Sequence, residues 1–166
     1  MPDGDAYYDE MLRAAGCSLR VIAHCHKVRD LALEFCDQSQ VADRALVNAG
    51  ALLHDIGRGI SPAISHAQDG AVWCRDNGIP EEIVRIVERH TGAGLTADEC
   101  TLLRLLPVDC MPETIEEKIV ASADNLVKGG QRISIHDRLA ASLYLDKMVR
   151  YRIYRLWLET EQFRRS

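Results

Sequence analysis

Histidines and aspartates set against an apolar pattern are the residues of this chain that could do chemistry. His24 lies in a stretch of helical apolar spacing, one turn from Val28 and two from Leu31, where a polar side chain is costly unless something binds it. Taken alone it is read first as a core histidine satisfied by a hydrogen bond, because buried polar groups are normally paired. The same reading applies to Asp124, which interrupts the inward pattern of Ile115, Ile119, Val120 and Val127. His54-Asp55 shifts the balance. The pair follows the apolar run 49–53, at an expected helix end where the backbone turns away and two adjacent side chains can converge. Imidazole and carboxylate together suit Fe, Mn, Zn, Co or Ni rather than a thiolate site. Four such residues, each at the inner edge of its own helix, can surround a cation in a bundle core.

The order His24, His54-Asp55, Asp124 resembles the H…HD…D signature of the HD-domain superfamily of metal-dependent phosphohydrolases. The segment 51–58, ALLHDIGR, resembles the HDIG box of that family. His24-Cys25-His26-Lys27-Val28 resembles its first histidine helix and Ala121-Ser122-Ala123-Asp124-Asn125 its final aspartate helix, so the resemblance covers about residues 18–132. His66 and His90 match two further histidines of members that bind a pair of metals, in which the aspartate of the HD pair bridges. The resemblance thus implies one metal on His24, His54, Asp55 and Asp124 and a second on Asp55, His66 and His90, with Asp55 as the catalytic centre. Two cations ~3.5–4 Å apart can clamp a phosphoryl group while a bridging hydroxide attacks in line. Without the resemblance, His66 and His90 read as capping or dipole-stabilised histidines. His26, about 200° around a helix from His24, is assigned no metal, and His136 is expected to be exposed.

Phosphate also needs cations that do not bind metal. Arg58 follows the HD-Ile-Gly segment, where the family often has Lys, and offers a bidentate fork. Lys128 and Arg132 flank Gly129-Gly130, and this segment is similar to a loop of the bacterial HD-domain diadenosine tetraphosphatases. The plainer reading is a basic turn at a helix C-terminus. Arg58 and Gly59 occupy the places of the acidic pair found in guanosine tetraphosphate hydrolases. Arg58 also stands where the 5'-deoxynucleotidase type has Glu, and Thr91-Gly92-Ala93-Gly94 lacks the Gly-Tyr-Pro motif of cyclic di-guanosine phosphodiesterases. The expected substrate is a small nucleotide or dinucleoside polyphosphate. Two other classes use the same ligand types: a di-iron oxygenase, and a binding module with a purely structural metal.

Positioning these residues requires helices, and the apolar spacing is helical almost throughout, without sustained period-two alternation. The expectation is an all-α bundle forming one domain over 1–166. A short helix is predicted around Tyr7–Ala15, and a second, capped by Ser18, runs to about Asp37. A third starts near Ser39 and stops by Gly57, with His54 and Asp55 in its last turn. Ser65 caps a fourth, ending at Asn77-Gly78, and Pro80 opens a fifth carrying Ile83, Val87 and His90 on one face. Thr96 and Glu99 form a capping-box pattern before Leu102. Pro112 precedes a helix through Ile115 and Val127 that ends at Gly129-Gly130, and one long helix is predicted over about 137–160.

Hydrophobic residues at 47% and charged residues at 27% exclude a disordered or fibrous chain. Aromatics at 5% argue against a stacking platform for single strands. With 20 Lys and Arg against 25 Asp and Glu, the net charge of −5 opposes non-specific binding to nucleic acid. The six cysteines form no Cys-x-x-Cys pair and are expected to be reduced core residues. No apolar run approaches the ~18–20 residues of a membrane span, and the acidic Met1–Glu10 segment lacks signal-peptide character, so a cytoplasmic location is expected. Oligomeric state is not fixed by any of these features.

Overall fold

A computed structural model of the chain describes residues 4–165. Its helices follow from caps and apolar spacing. Helix α1 spans Asp5–Ala14 and α2 spans Leu19–Ser39. The Ser18 hydroxyl accepts from the Val21 N–H to open α2, which buries Ile22, Cys25, Val28, Leu31, Ala32 and Phe35 at three- and four-residue steps. Helix α3 spans Arg44–Leu53, later than the expected start near Ser39. Gln40 takes a left-handed conformation at φ 57° to end α2, and the Asp43 carboxylate caps the N–H groups of Ala45 and Leu46.

Helix α3 is the central element, packing on α1, α2, α5 (Glu81–Arg89) and α7 (Ile115–Asn125). Its residues 49–53 are fully enclosed. A side chain at Gly50 would come within 2.5 Å of the Ile86 side chain, so glycine lets α3 and α5 approach. One apolar cluster joins α2, α3, α5 and α7 to the C-terminal helix around Phe35, Val47, Ile119 and Ile153; another joins α1, α2, α3 and α5 to the helix of Ala71 and Cys74 around Leu12, Leu52, Leu53 and Val84. All six cysteines are free and buried, as their sequence context predicts.

After α3 the chain enters a 3-10 turn over Ile56–Gly59 and then α4, His66–Asp76. His54 and Asp55 therefore stand just beyond α3 rather than in its last turn. Gly57 packs on the start of α4 so closely that a Cβ there would sit 1.8 Å from the His66 carbonyl oxygen and 2.7 Å from the Gly70 nitrogen one turn on. Helix α6, Ala97–Leu102, and α7 both begin with capping boxes, Thr96 with Glu99 and Thr114 with Glu117. Buried Glu117 also accepts from Arg89, which ties the end of α5 to the start of α7.

Two expectations about the C-terminal third fail for local reasons. Helix α7 does not run to Gly129; Val127–Lys128 (β1) pairs antiparallel with Gln131–Arg132 (β2), closed by Gly129 and Gly130 at φ 59° and 77°. Positive φ at both turn positions is the hairpin geometry that glycine supplies at least cost. The single long helix is two: α8, Ile135–Ala140, and α9, Lys147–Arg165. A Ser134–Asp137 capping box starts α8 early, and the Asp146 carboxylate accepts from the Met148 N–H to restart the chain as α9. Among the described residues no helix is long and apolar enough to cross a membrane. The fold is all-α apart from the short hairpin.

Candidate metal centre and adjoining cleft

Five segments converge on one point. His24 comes from the second turn of α2, His54 and Asp55 from the turn after α3, and His66 from the first residue of α4. His90 caps the C-terminus of α5, and Asp124 is the penultimate residue of α7. The Asp55 carboxylate sits among the imidazoles with its oxygens divided. Oδ2 lies 3.8 Å from Nε2 of both His24 and His54, whereas Oδ1 lies 3.2 Å from His66 Nε2 and 3.4 Å from His90 Nε2. Asp124 Oδ1 completes the first group at 3.0 Å from His24 Nε2 and 3.5 Å from His54 Nε2.

Backbone carbonyls orient three of the four imidazoles. Nδ1 of His54, His66 and His90 lies 2.7, 2.9 and 2.7 Å from the carbonyl three residues earlier, on Ala51, Ala63 and Val87 respectively. A carbonyl only accepts, so each Nδ1 carries a hydrogen and each Nε2 faces inward, as a lone pair when the ring is neutral. His66 Nε2 and His90 Nε2 then face each other at 3.1 Å. Two lone pairs at that separation need a proton or a cation beside them. Fully buried His54 Nε2 has no hydrogen-bond partner, although it points at both carboxylates. This donor set fits divalent transition cations, with imidazoles fixed by second hydrogen bonds in the way metal-binding histidines are. His24, His54 and Asp124 form one group whose ligand atoms lie within 4.8 Å of one another, and His54, Asp55 and His90 form another.

The local field is strong. Burial pushes Asp55 up, but the His54 charge and hydrogen bonds from His66 and His90 outweigh it and hold the carboxyl well below the ordinary range. Burial likewise raises Asp124 less than His24 and His54 lower it. His54 moves well above the usual imidazole value: burial lowers it, while the Cys25 sulfur and the two carboxylates raise it further. His90 is lowered, chiefly by burial.

The neighbouring cations separate into two sets. Arg58 Nε lies 3.3 Å from Asp55 Oδ1, and its guanidinium also donates to the Pro62 carbonyl, so it borders the centre. Lys128 is exposed at the edge of a depression shared with Arg58 and Asp124. Arg132 is elsewhere: it pairs with Glu34 at 3.1 Å and lies over the Phe35 ring. Sequence reasoning missed Arg138, which donates from Nε to Asn125 Oδ1 at 2.9 Å and also reaches Ser142. Asn125 in turn donates to the carbonyls of Gly92 and Ala121. No local signal marks Arg138, since it reads as one more basic residue on an amphipathic helix. His26 pairs with Asp9 on the far side of α2, and His136 is exposed, both as expected. A cleft of about 680 Å³ opens beside the centre, bordered by Arg58, His66, His90, Asp124 and Arg138.

The HD domain family pattern matches residues 21–129, a span that begins just before His24 and ends just after Asp124. The chain belongs to the HD domain family. An uncharacterized protein of Methanocaldococcus jannaschii is 45% identical over 125 residues, covering 73% of this chain and 74% of that protein. A Thermoplasma volcanium tRNA (cytidine(56)-2'-O)-methyltransferase is 44% identical over 135 residues, which is 81% of this chain but only 39% of the methyltransferase. The chain thus spans about two fifths of the length of that relative. The named relatives include tRNA methyltransferases of this kind rather than the diadenosine tetraphosphatases that the Gly129-Gly130 loop resembles. Among solved structures, the HD domain of the L. monocytogenes phosphodiesterase PgpH in complex with cyclic-di-AMP superposes with a TM-score of 0.53. It is 19% identical, with 85% of this chain and 89% of that chain covered, a likeness that shows the HD-domain fold.

Proposed function

We propose that this HD domain is a metal-dependent phosphohydrolase acting on small phosphorylated compounds, with His24, His54, Asp55, His66, His90 and Asp124 holding two divalent cations. The observation that carries the reading is the division of Asp55, one oxygen toward His24 and His54 and the other toward His66 and His90. Fe, Mn, Zn, Co or Ni bound there would supply Lewis acidity and a nucleophilic hydroxide. The chain's own residues do the rest. Asp55 and Asp124 together would repel a phosphate, so substrate affinity depends on cations that offset the two carboxylates. Arg58 and Arg138 border the same cleft and can donate to non-bridging phosphate oxygens without competing for metal, since guanidinium is always protonated. A small nucleotide or dinucleoside polyphosphate is the specific candidate: several phosphate oxygens would reach Arg58 and Lys128 together. Arg132 joins them only by leaving Glu34.

The test is metal analysis of the full chain followed by phosphate-release assays on nucleotides, dinucleoside polyphosphates and simple esters with Mn or Co. Metal retention and Mn-dependent phosphate release, both lost in Asp55→Asn, are expected. A chain that binds no transition metal, or that consumes oxygen with iron while releasing no phosphate, overturns the proposal.

A further inference from the structure

The metal-proximal end of the 680 Å³ cleft is polar, and the remainder is not. Ile64, Leu102, Leu103, Tyr144, Leu145 and Val149 line the same space as His66, His90 and Asp124. They come from the 61–65 loop, the end of α6, and the segment where α8 and α9 part. Leu102 is 83% exposed and Tyr144 80% exposed, so large apolar surface faces solvent within reach of the proposed centre. Contiguous apolar surface beside a polar centre marks a ligand groove more often than chance exposure does. Charge is graded along the cleft. Its lining cations, Arg58 and Arg138, stand at the metal end, fixed by Asp55 and Asn125. On the arm that bears the leucines and Tyr144, the lining carboxylates are engaged: Glu99 pairs with Arg152 at 2.8 Å and Asp146 accepts from the Met148 N–H. Next to His90, the Thr91 hydroxyl is buried, has no hydrogen-bond partner and borders the same cleft.

We infer that the substrate carries an apolar, uncharged group which occupies this arm while its phosphate sits at the cations. Leu103 and Tyr144 are then the side chains that select it. The occupant follows from continuity: one cleft joins the phosphate end to the leucines, and its lining cations Arg58 and Arg138 stand at the phosphate end, leaving none on the apolar arm to hold a second anionic group. This inference rests on the phosphohydrolase reading for the phosphate end, and the experiment below separates the two.

Binding of 3-phenylpropylphosphonate and propylphosphonate to the Mn-loaded full chain compares two ligands with one head group and one charge. Expected is at least tenfold tighter binding of the phenyl compound. Tyr144→Ser and Leu103→Ser should each shrink that ratio at least threefold, whereas Val41→Ser, a change at an exposed apolar residue outside the cleft, should preserve it. Melting temperatures identify any variant that fails to fold, and Tyr144 is exposed enough that its replacement should fold normally. A wild-type ratio near one overturns the inference, as does a ratio untouched by both cleft variants. Sedimentation showing a dimer that Tyr144→Ser dissociates also overturns it, assigning the patch to a second copy of the chain. The corresponding phosphate esters have leaving groups of nearly equal acidity, so their relative kcat/KM reports recognition rather than intrinsic reactivity. Selective binding without hydrolysis of either ester removes the hydrolase reading and leaves the apolar arm. Hydrolysis of both without preference does the reverse.

Discussion

Asp55 is the residue on which the proposed centre turns, because its two oxygens face different pairs of imidazoles. Asp55→Ala should therefore remove both metals, whereas His66→Ala should cost only the one it shares with His90. Metal stoichiometry of the two purified variants decides it; equal loss in both contradicts the two-site arrangement. His54 adds a pH dependence. Its raised pKa favours the protonated ring in the metal-free protein, and a cation needs that Nε2 lone pair. Manganese uptake should then release protons at neutral pH, with affinity rising as pH rises and levelling off above the His54 pKa. The sign for stability is opposite. A raised histidine stabilises the metal-free fold fully below its unfolded value of about 6.5, and that contribution is lost as pH climbs through the folded value. Melting of chelator-treated protein should therefore fall on the alkaline side, while metal affinity that does not rise with pH above the unperturbed histidine value of about 6.5 would contradict the His54 assignment.

Elements matter here through how tightly they cross. The turn after α3 meets α4 at Gly57, where a Cβ would lie 1.8 Å from the His66 carbonyl oxygen and 2.7 Å from the Gly70 nitrogen. Backbone on both sides cannot yield as a flexible side chain would. Gly57→Ala should destabilise by about 3 kcal/mol or more and should also lose metal, because His66 starts the displaced helix. Gly129→Ala has open space around it and only a left-handed φ to strain, so about 1 kcal/mol and normal metal content are expected. Thermal melts with metal analysis check the pair, and equal effects would refute the packing argument. The same contrast explains what the sequence makes legible. Ser18, Thr96 with Glu99, and Asn77-Gly78 announce helix ends because caps are local chemistry. The HD pair and Asp124 stand out as polar residues that break an apolar period, and the resemblance to the HD-domain signature joins them into one ligand set. Asp43 as the cap of α3 is hidden behind the helix-compatible residues 39–42, and Asp146 behind the apolar run that spans the α8–α9 break. Arg138 beside Asn125 is a pairing across 13 residues that no spacing rule points to. Arg132 sits next to the right glycines, yet the hairpin they form turns it toward Glu34.

On the scale of the whole molecule the question is which phosphates can approach. The net charge of −5 makes long polyanions pay repulsion over most of the surface. Among the described residues the cations bordering the centre are Arg20, Arg58, Arg138 and Lys128, and Arg58 already faces Asp55. A nucleic-acid backbone needs a stripe of several such contacts, each weakening binding as salt rises. Two basic residues of α9 are already engaged: Arg152 is held by Glu99 at 2.8 Å and Arg155 faces Glu159 at 3.7 Å. Small phosphate compounds avoid the difficulty, because a single head group sees only the local charge of cations, Arg58 and Arg138. The Mn-loaded chain should therefore turn over small phosphates while retarding neither tRNA nor duplex DNA at physiological salt, and without cleaving either at low salt. Gel-shift and cleavage assays alongside phosphate release make the comparison. Tight tRNA binding that weakens steeply with salt, with no small substrate turned over, would move the site toward RNA. It would also require a basic surface formed with a partner, since the described residues present only scattered or paired arginines around the cleft.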